Sequence, residues 1–333
     1  MSDNPRSGPP GVDRREALWR LGQAALVGGA FGTGAALFYD PKHPIRKREL
    51  KGRALKNYQV PVAAGTPRVA LARGKNAVRN VQAALKALGG IEQFIQAGDR
   101  VLLKPNAAFD RTPALGANTS PEVVGEIARL CLAAGAREVV ITDNTLYSAE
   151  RCYESSGIGA AAKKAGAKIF IPGDDDYTEA IIDGQVLDSW PVMKKAWEVD
   201  KIINLPTAKH HRLARVSLGM KNWMGLIGGK RRRWHQKLPD SLADMAQALR
   251  PTLVVLDASR LLMRHGPTGG RLSDVAPGNA LIAGWDQVAV DALGAPLLGA
   301  SLTEVHYITA AARRGIGHLR LSRSELATVN TDV

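Results

Sequence analysis

The sequence predicts an α/β domain built on a mostly parallel sheet covered by helices. Three observations carry that expectation. From residue 67 onward short β-branched runs alternate with helical stretches, and the strand candidates are almost continuously apolar, as strands buried on both faces are. Polar residues follow several of those runs directly at their carboxyl ends. At 333 residues with 45% hydrophobic content the chain is long enough to bury a large core. The strand candidates are Arg68–Ala72, Arg100–Lys104, Glu138–Thr142, Lys168–Ile171, Lys201–Leu205, Thr252–Asp257 and Ala280–Ala283. The helix candidates are Asn76–Leu88, Pro121–Ala134, Gly159–Ala165, Leu238–Leu249, Gln287–Leu298 and Thr303–Arg313. Local chemistry supports the second helix: Ser120 suits an N-cap, Pro121 the first helical position, and Glu122 the positive end of the dipole.

Ahead of this domain, residues 1–40 read as a targeting segment. A polar stretch ends in Arg14-Arg15-Glu16-Ala17-Leu18, and a mildly apolar Gly/Ala-rich run follows from Leu21 to Tyr39. This resembles a twin-arginine export signal, which implies the twin-arginine machinery as a partner and an exported protein, periplasmic or anchored in the membrane and facing outward. Residues 41–66 are expected to form a basic, solvated linker, and 67–333 a single domain.

The formal net charge of +14 is local. Residues 1–60 carry a net +6 and residues 201–239 a net +10, leaving −2 for the remainder. The second patch combines Lys221-Asn222-Trp223 and Gly225-Leu226-Ile227-Gly228-Gly229 with Lys230-Arg231-Arg232-Arg233-Trp234-His235. Its glycines permit a tight loop and its cations attract an anion. A membrane surface also suits such a basic run, whereas nucleic acid is disfavoured for an exported chain. The two cysteines exclude a disulfide scaffold, a four-thiolate zinc site and a four-cysteine iron–sulfur cluster. Cys131 falls on an apolar helix face and is expected in the core, while Cys152 is expected to be exposed.

The strand-end residues make the candidate site, because the carboxyl ends of parallel strands share one rim where ligands bind. They are Lys104, Pro105 and Asn106; Asp143; Lys209 and His210 of the Lys209-His210-His211 run; Asp257; and Asp286. Adjacent histidines diverge, so one of the pair is expected to face the site, and metal ligation stays open. Asp286 also suits an N-cap, and Asp291, embedded in an apolar helix, needs a partner or a wet cavity. Lys104, Lys209 and Lys221 would neutralise carboxylate or phosphate oxygens, and Asn106 and Asn222 would orient the ligand. His210 or His235 would transfer a proton, tuned by Asp143, Asp257 or Asp291. The same groups would equally serve a non-catalytic anion or metal receptor, and the basic surface a membrane-associated interaction protein. Lys221, Asn222 and His235 are expected to converge near Lys104 and Asn106, with Arg231–Arg233 pointing to solvent.

At these residues the sequence resembles the family catalogued as domain of unknown function 362. The stretches that carry the resemblance are Gly98–Asn106, Asp200–Pro206 with Lys209-His210-His211, Gly219–Gly225, His235, Gly266-Pro267 and Asp286–Asp291. Some members of that family carry an attached ferredoxin segment, which two cysteines cannot supply here. The resemblance implies a domain identity and leaves cofactor and reaction open.

Replacing Arg14 and Arg15 together by lysine is expected to leave the protein in the cytoplasm, measured by cell fractionation; unchanged delivery across the membrane would remove the export assignment.

Overall fold

The computed structural model describes residues 50–332. The Arg14-Arg15 segment and the first part of the basic stretch therefore lie outside the described residues. In chain order the elements are β1 (Arg53–Ala54), β2 (Val69–Arg73), α1 (Ala77–Ala87), β3 (Arg100–Pro105), α2 (Pro121–Ala133), β4 (Glu138–Ile141), α3 (Ala149–Ser155), α4 (Ile158–Ala165), β5 (Lys168–Ile169), β6 (Tyr177–Ile181) and β7 (Ser189–Met193). They continue with α5 (Lys195–Glu198), β8 (Lys201–Leu205), β9 (Thr207–His211), β10 (Arg215–Ser217), α6 (Gly219–Asn222), α7 (Leu238–Ala248), β11 (Leu253–Leu262), β12 (Val275–Gly284), α8 (Gln287–Gly294), α9 (His306–Arg313) and β13 (Leu326–Asn330).

The main sheet runs β13-β2-β12-β11-β8-β3-β4-β5. Strands β11, β8, β3, β4 and β5 are mutually parallel, and β12 is antiparallel to its neighbours β11 and β2. Alternate side chains of the central strands enter opposite cores, which is why these strands read as apolar without a polar face. Val101 and Leu103 of β3 pack with α1, α2 and α4, whereas Leu102 packs on the other face with residues of α7, α8 and α9. The α/β architecture expected from the sequence is the one present.

Several details differ from expectation. Residues from Arg53 on are not a free linker. Arg53 and Ala54 pair with β6 in a second, smaller sheet, Tyr58 is buried with its hydroxyl on the Ala196 carbonyl, and the Trp197 indole donates to Ala54 O at 2.7 Å. The stretch Pro206–His211, expected only as polar residues beyond a strand end, contains strand β9, which pairs with β11 and β10. Pro206 interrupts the apolar run of β8, and the polar residues beyond it hid the strand. The helix from Gln287 ends at Gly294 and passes into a 3-10 turn over Ala295–Leu298, since Pro296 lacks the N–H an α-helix would use there. Ser120 stands at the N-cap of α2 without capping it through its hydroxyl. Both cysteines are free and buried, Cys152 included, so the expected exposure of Cys152 is corrected. Among the described residues no helix is long and apolar enough to cross a membrane.

One buried carboxylate ties the smaller sheet to the main body. Asp244, fully buried on α7, accepts from Gln185 N at 2.9 Å, Val186 N at 2.8 Å and Leu187 N at 2.9 Å in the turn between β6 and β7, and it pairs with Arg314 beyond α9. Removing it orphans three amides and leaves the Arg314 guanidinium with Asp240 alone. Asp244→Ala is therefore expected to lower the unfolding free energy by roughly 3–5 kcal/mol, read from urea denaturation; a change within about 1 kcal/mol would refute this role.

Candidate functional site

Strands β11, β8, β3 and β4 are adjacent and parallel, so their carboxyl ends meet at one rim. There Lys104, the penultimate residue of β3, is fully buried, and its Nζ lies 3.0 Å from Asp143 Oδ1, just beyond β4. Nζ also donates to Pro105 O at 2.5 Å and to Asn222 Oδ1 at 3.3 Å. The other Asp143 oxygen accepts from Ala107 N at 2.7 Å. A Cβ on Gly225 would collide with both Asp143 and Lys104, so only glycine lets the chain pass over this pair.

A chain of amides extends from it. Asn222 Nδ2 donates to Lys104 O at 3.0 Å and to Asn204 Oδ1 at 2.8 Å, while Asn222 Oδ1 accepts from Asn106 Nδ2 at 3.0 Å. Asn106 Oδ1 in turn accepts from Lys209 Nζ at 2.9 Å. Lys209 also bonds to the Ala117 carbonyl, and its Nζ sits 4.5 Å from the centroid of the Phe109 ring. The two asparagines thereby fix two lysines relative to each other. Asp291 positions the α6 turn from below, accepting from Gly219 N at 2.6 Å and Met220 N at 2.9 Å. The residue it needed is a pair of backbone amides.

These residues floor a cavity of about 820 Å³. Among the described residues its walls carry seven Lys or Arg side chains (Lys209, Arg212, Lys221, Lys230, Arg231, Arg232 and Arg233) and one acid, Asp143. Apolar contributions come from Phe109, Leu146, Leu213, Met224 and Pro267. Crowded, buried cations repel their own protons. Burial pushes the Lys104 ammonium down against the opposing pull of Asp143, and pushes Lys209 well below the usual lysine range, with Lys221 and Lys104 acting in the same direction. Burial and then the Arg231 guanidinium bring Lys221 down to about 8.

The histidines divide differently from expectation. On β9, Lys209 and His211 share the face that lines the cavity, and His210, on the opposite face, does not line it. Burial, with Lys221 and Lys209 nearby, holds His211 down to about 3, so it is neutral. Its Nδ1 accepts from Leu213 N and Ala214 N, both at 3.2 Å, which puts the ring proton on Nε2 and makes His211 a donor to whatever binds. His235 lines the cavity in an exposed position and is also shifted down, by burial first and then Lys221. Among the described residues no group of three His, Cys, Asp or Glu could hold a metal ion.

Lys209, Lys221, Asn106, Asn222, Asp143 and His235 thus line one cavity, with Lys104 directly beneath. Asp257 does not line it: its oxygens accept from Ser120 N at 2.7 Å and Ser259 N at 2.9 Å, anchoring the start of α2. Asp286 does not line it either, because it caps α8 through Val288 N and Ala289 N and pairs with His318. Arg231 is corrected from solvent-facing to partly buried, donating to Asn144 O at 2.9 Å and Met224 O at 3.2 Å. Both tryptophans of the basic segment are core residues, Trp223 bonded to Gln287 and Trp234 edge-on to Trp190. Sequence reasoning expected one of the two histidines at the site but assigned the role to His210 instead of His211, and it missed Asn204; the i, i+2 spacing of Lys209 and His211 is the signal that a strand assignment would have exposed.

With this site on a parallel-sheet rim, the class is an α/β protein with a cationic rim cavity. The chain belongs to the family described as Domain of unknown function (DUF362), whose model matches residues 101–296. A thylakoid-associated protein of Synechocystis sp. is 29% identical over 215 residues, covering 62% of this chain and 65% of the relative, so the chain spans less than two thirds of that protein. Among solved structures, the lactate racemase apoprotein of Thermoanaerobacterium thermosaccharolyticum is similar at TM-score 0.41 and 11% identity, over 71% of this chain and 60% of that one. A Thermotoga maritima protein is similar at TM-score 0.38 and 10% identity, over 71% and 59%.

Asp291 supplies a pH signature. Burial pushes its carboxyl up to about 7 against the two amide bonds that favour ionisation. Between the unfolded value, about 4, and 7 the folded state holds more protons than the unfolded one, so stability falls as pH rises through that window. Asp291→Asn is expected to flatten this slope in urea titrations from pH 4 to 7; an unchanged slope would remove Asp291 as its source.

Proposed function

We propose that the protein is an enzyme acting on a small anionic molecule bound in the rim cavity. The observation that carries this reading is the charge imbalance at its floor: Lys104, Lys209 and Lys221 are all buried, and Asp143 is the one acid lining the cavity among the described residues. Buried cations without counter-charge are costly, and an anion entering the cavity would supply what the protein withholds. Lys209 and Lys221 would meet its oxygens, Asn106 holds Lys209 in place as Asn222 holds Lys104, and His211 Nε2–H would donate to an acceptor. Proton transfer would fall to Lys221, brought down to about 8, or to His235, which burial holds below the usual histidine value. Asp143 would set the charge of Lys104 rather than tune a histidine. Delivery across a membrane by the Arg14-Arg15 segment belongs to the same proposal.

A second reading, association with a membrane surface, draws on the exposed Arg232 and Arg233 and on the thylakoid-associated relative. One experiment separates the two. Inorganic phosphate at constant ionic strength is expected to raise Tm, with binding followed by calorimetry. Lys209→Met or Lys221→Met should weaken binding about 10–100-fold, as loss of a charged hydrogen-bond donor does. Neutralising Arg232 and Arg233 should cost no more than about threefold and fade with salt. Equal losses would favour a diffuse basic surface over a built site.

A further inference from the structure

The three buried lysines are not equivalent. Lys104 is paired with Asp143, and Lys209 is tied to Asn106 and the Ala117 carbonyl. Lys221, only 8% exposed, has its Nζ 2.9 Å from the Met224 thioether sulfur, a weak acceptor, and no carboxylate within ion-pair distance among the described residues. It lines the cavity beside His211 and His235. Nothing there rewards an ammonium ion.

We propose that Lys221 is a nucleophilic amine that condenses with a small aldehyde or ketone carrying a carboxylate or phosphate, forming an imine within the cavity. The inference rests on the anion-binding reading above and names its substrate class. The anionic group would be gripped by Lys209 and the arginines, placing the carbonyl carbon at Nζ. The nitrogen lone pair forms the C–N bond while the carbonyl π pair moves to oxygen, which accepts a hydrogen bond from His211 Nε2–H. His235 relays one proton from the nitrogen to that oxygen, giving a neutral carbinolamine. A solvent proton carried by His235 then reaches the hydroxyl, which leaves as water as the nitrogen lone pair closes the C=N bond, and the iminium returns its remaining proton to His235. Amine plus carbonyl gives imine plus water, with no oxidation or reduction. The depressed Lys221 value, about 8 against ~10.4 for a surface lysine, leaves roughly 200-fold more free amine at neutral pH.

The test is reductive trapping in the full-length wild-type protein with glyoxylate and cyanoborohydride, read by peptide mass spectrometry. Carboxymethylation is expected at Lys221 at least about tenfold ahead of Lys230 and Lys237, suppressed by phosphate, and acetaldehyde, which lacks the anionic group, should show a smaller preference that phosphate leaves unchanged. In Lys221→Arg the modification should vanish without moving to another cavity lysine. Modification at Lys209 with Lys221 untouched, or spread evenly over surface lysines, would overturn the proposal. If phosphate stabilises the wild-type protein while no adduct forms at Lys221, the nucleophile fails and the anion site stands; if phosphate does not bind, both fall.

Discussion

The rim is organised around a carboxylate and an ammonium ion placed out of reach of water. Lys104 and Asp143 stand at the ends of neighbouring parallel strands, and each is tied to backbone as well as to the other. Such a pair adds little net stability, because desolvating two ions costs about what their attraction returns. Its effect is geometric. Asp143 fixes the turn after β3 through Ala107 N, and the Gly225 backbone is drawn close enough over the pair for its carbonyl to accept from Asn144 N at 2.8 Å. Three separate loops are thereby held in register at one point.

From that point the amides carry the order outward. Asn204, Asn222 and Asn106 use their paired donor and acceptor groups to connect Lys104 to Lys209, so these lysines reach their positions before any ligand arrives. Orientation settled in advance is what a cavity needs if binding energy is to go into chemistry rather than into ordering side chains. The turn that presents Lys221 is held in a similar way by Asp291, and Gly219 allows the approach, since a Cβ there would lie 2.7 Å from Asp291 Oδ1.

Much of this was legible in the sequence, and the reason is periodicity. Central strands such as Val101-Leu102-Leu103 and Ile202-Ile203 bury both faces and announce themselves, and the polar residues directly after them mark the rim. Lys104, Asn106 and Lys209 were reachable by that logic, and Asn222 by its place beside Lys221 ahead of Gly225. Asp257 and Asp286 sit at similar strand ends yet serve backbone amides at helix starts, a distinction set by which N–H groups lie nearby and invisible in one dimension. Strand β1 was hidden because its pairing depends on residues far apart in sequence, as Arg53 with Ala180 shows. Arg231 was misjudged because the carbonyls that receive it belong to distant loops.

Strand β9 has a consequence for how this site can vary. Lys209 pairs across to Ser217 and His211 to Arg215, and the cavity receives alternate residues of the strand. The adjacent histidines therefore differ only in parity. Inserting or deleting a single residue between Pro206 and Lys209 would turn His210 inward, send His211 and Lys209 to the opposite face, and exchange the cavity's chemistry without altering its composition. Length changes of one residue here are thus more consequential than most substitutions, whereas a two-residue change would restore the same facing pattern with different neighbours across the ladder.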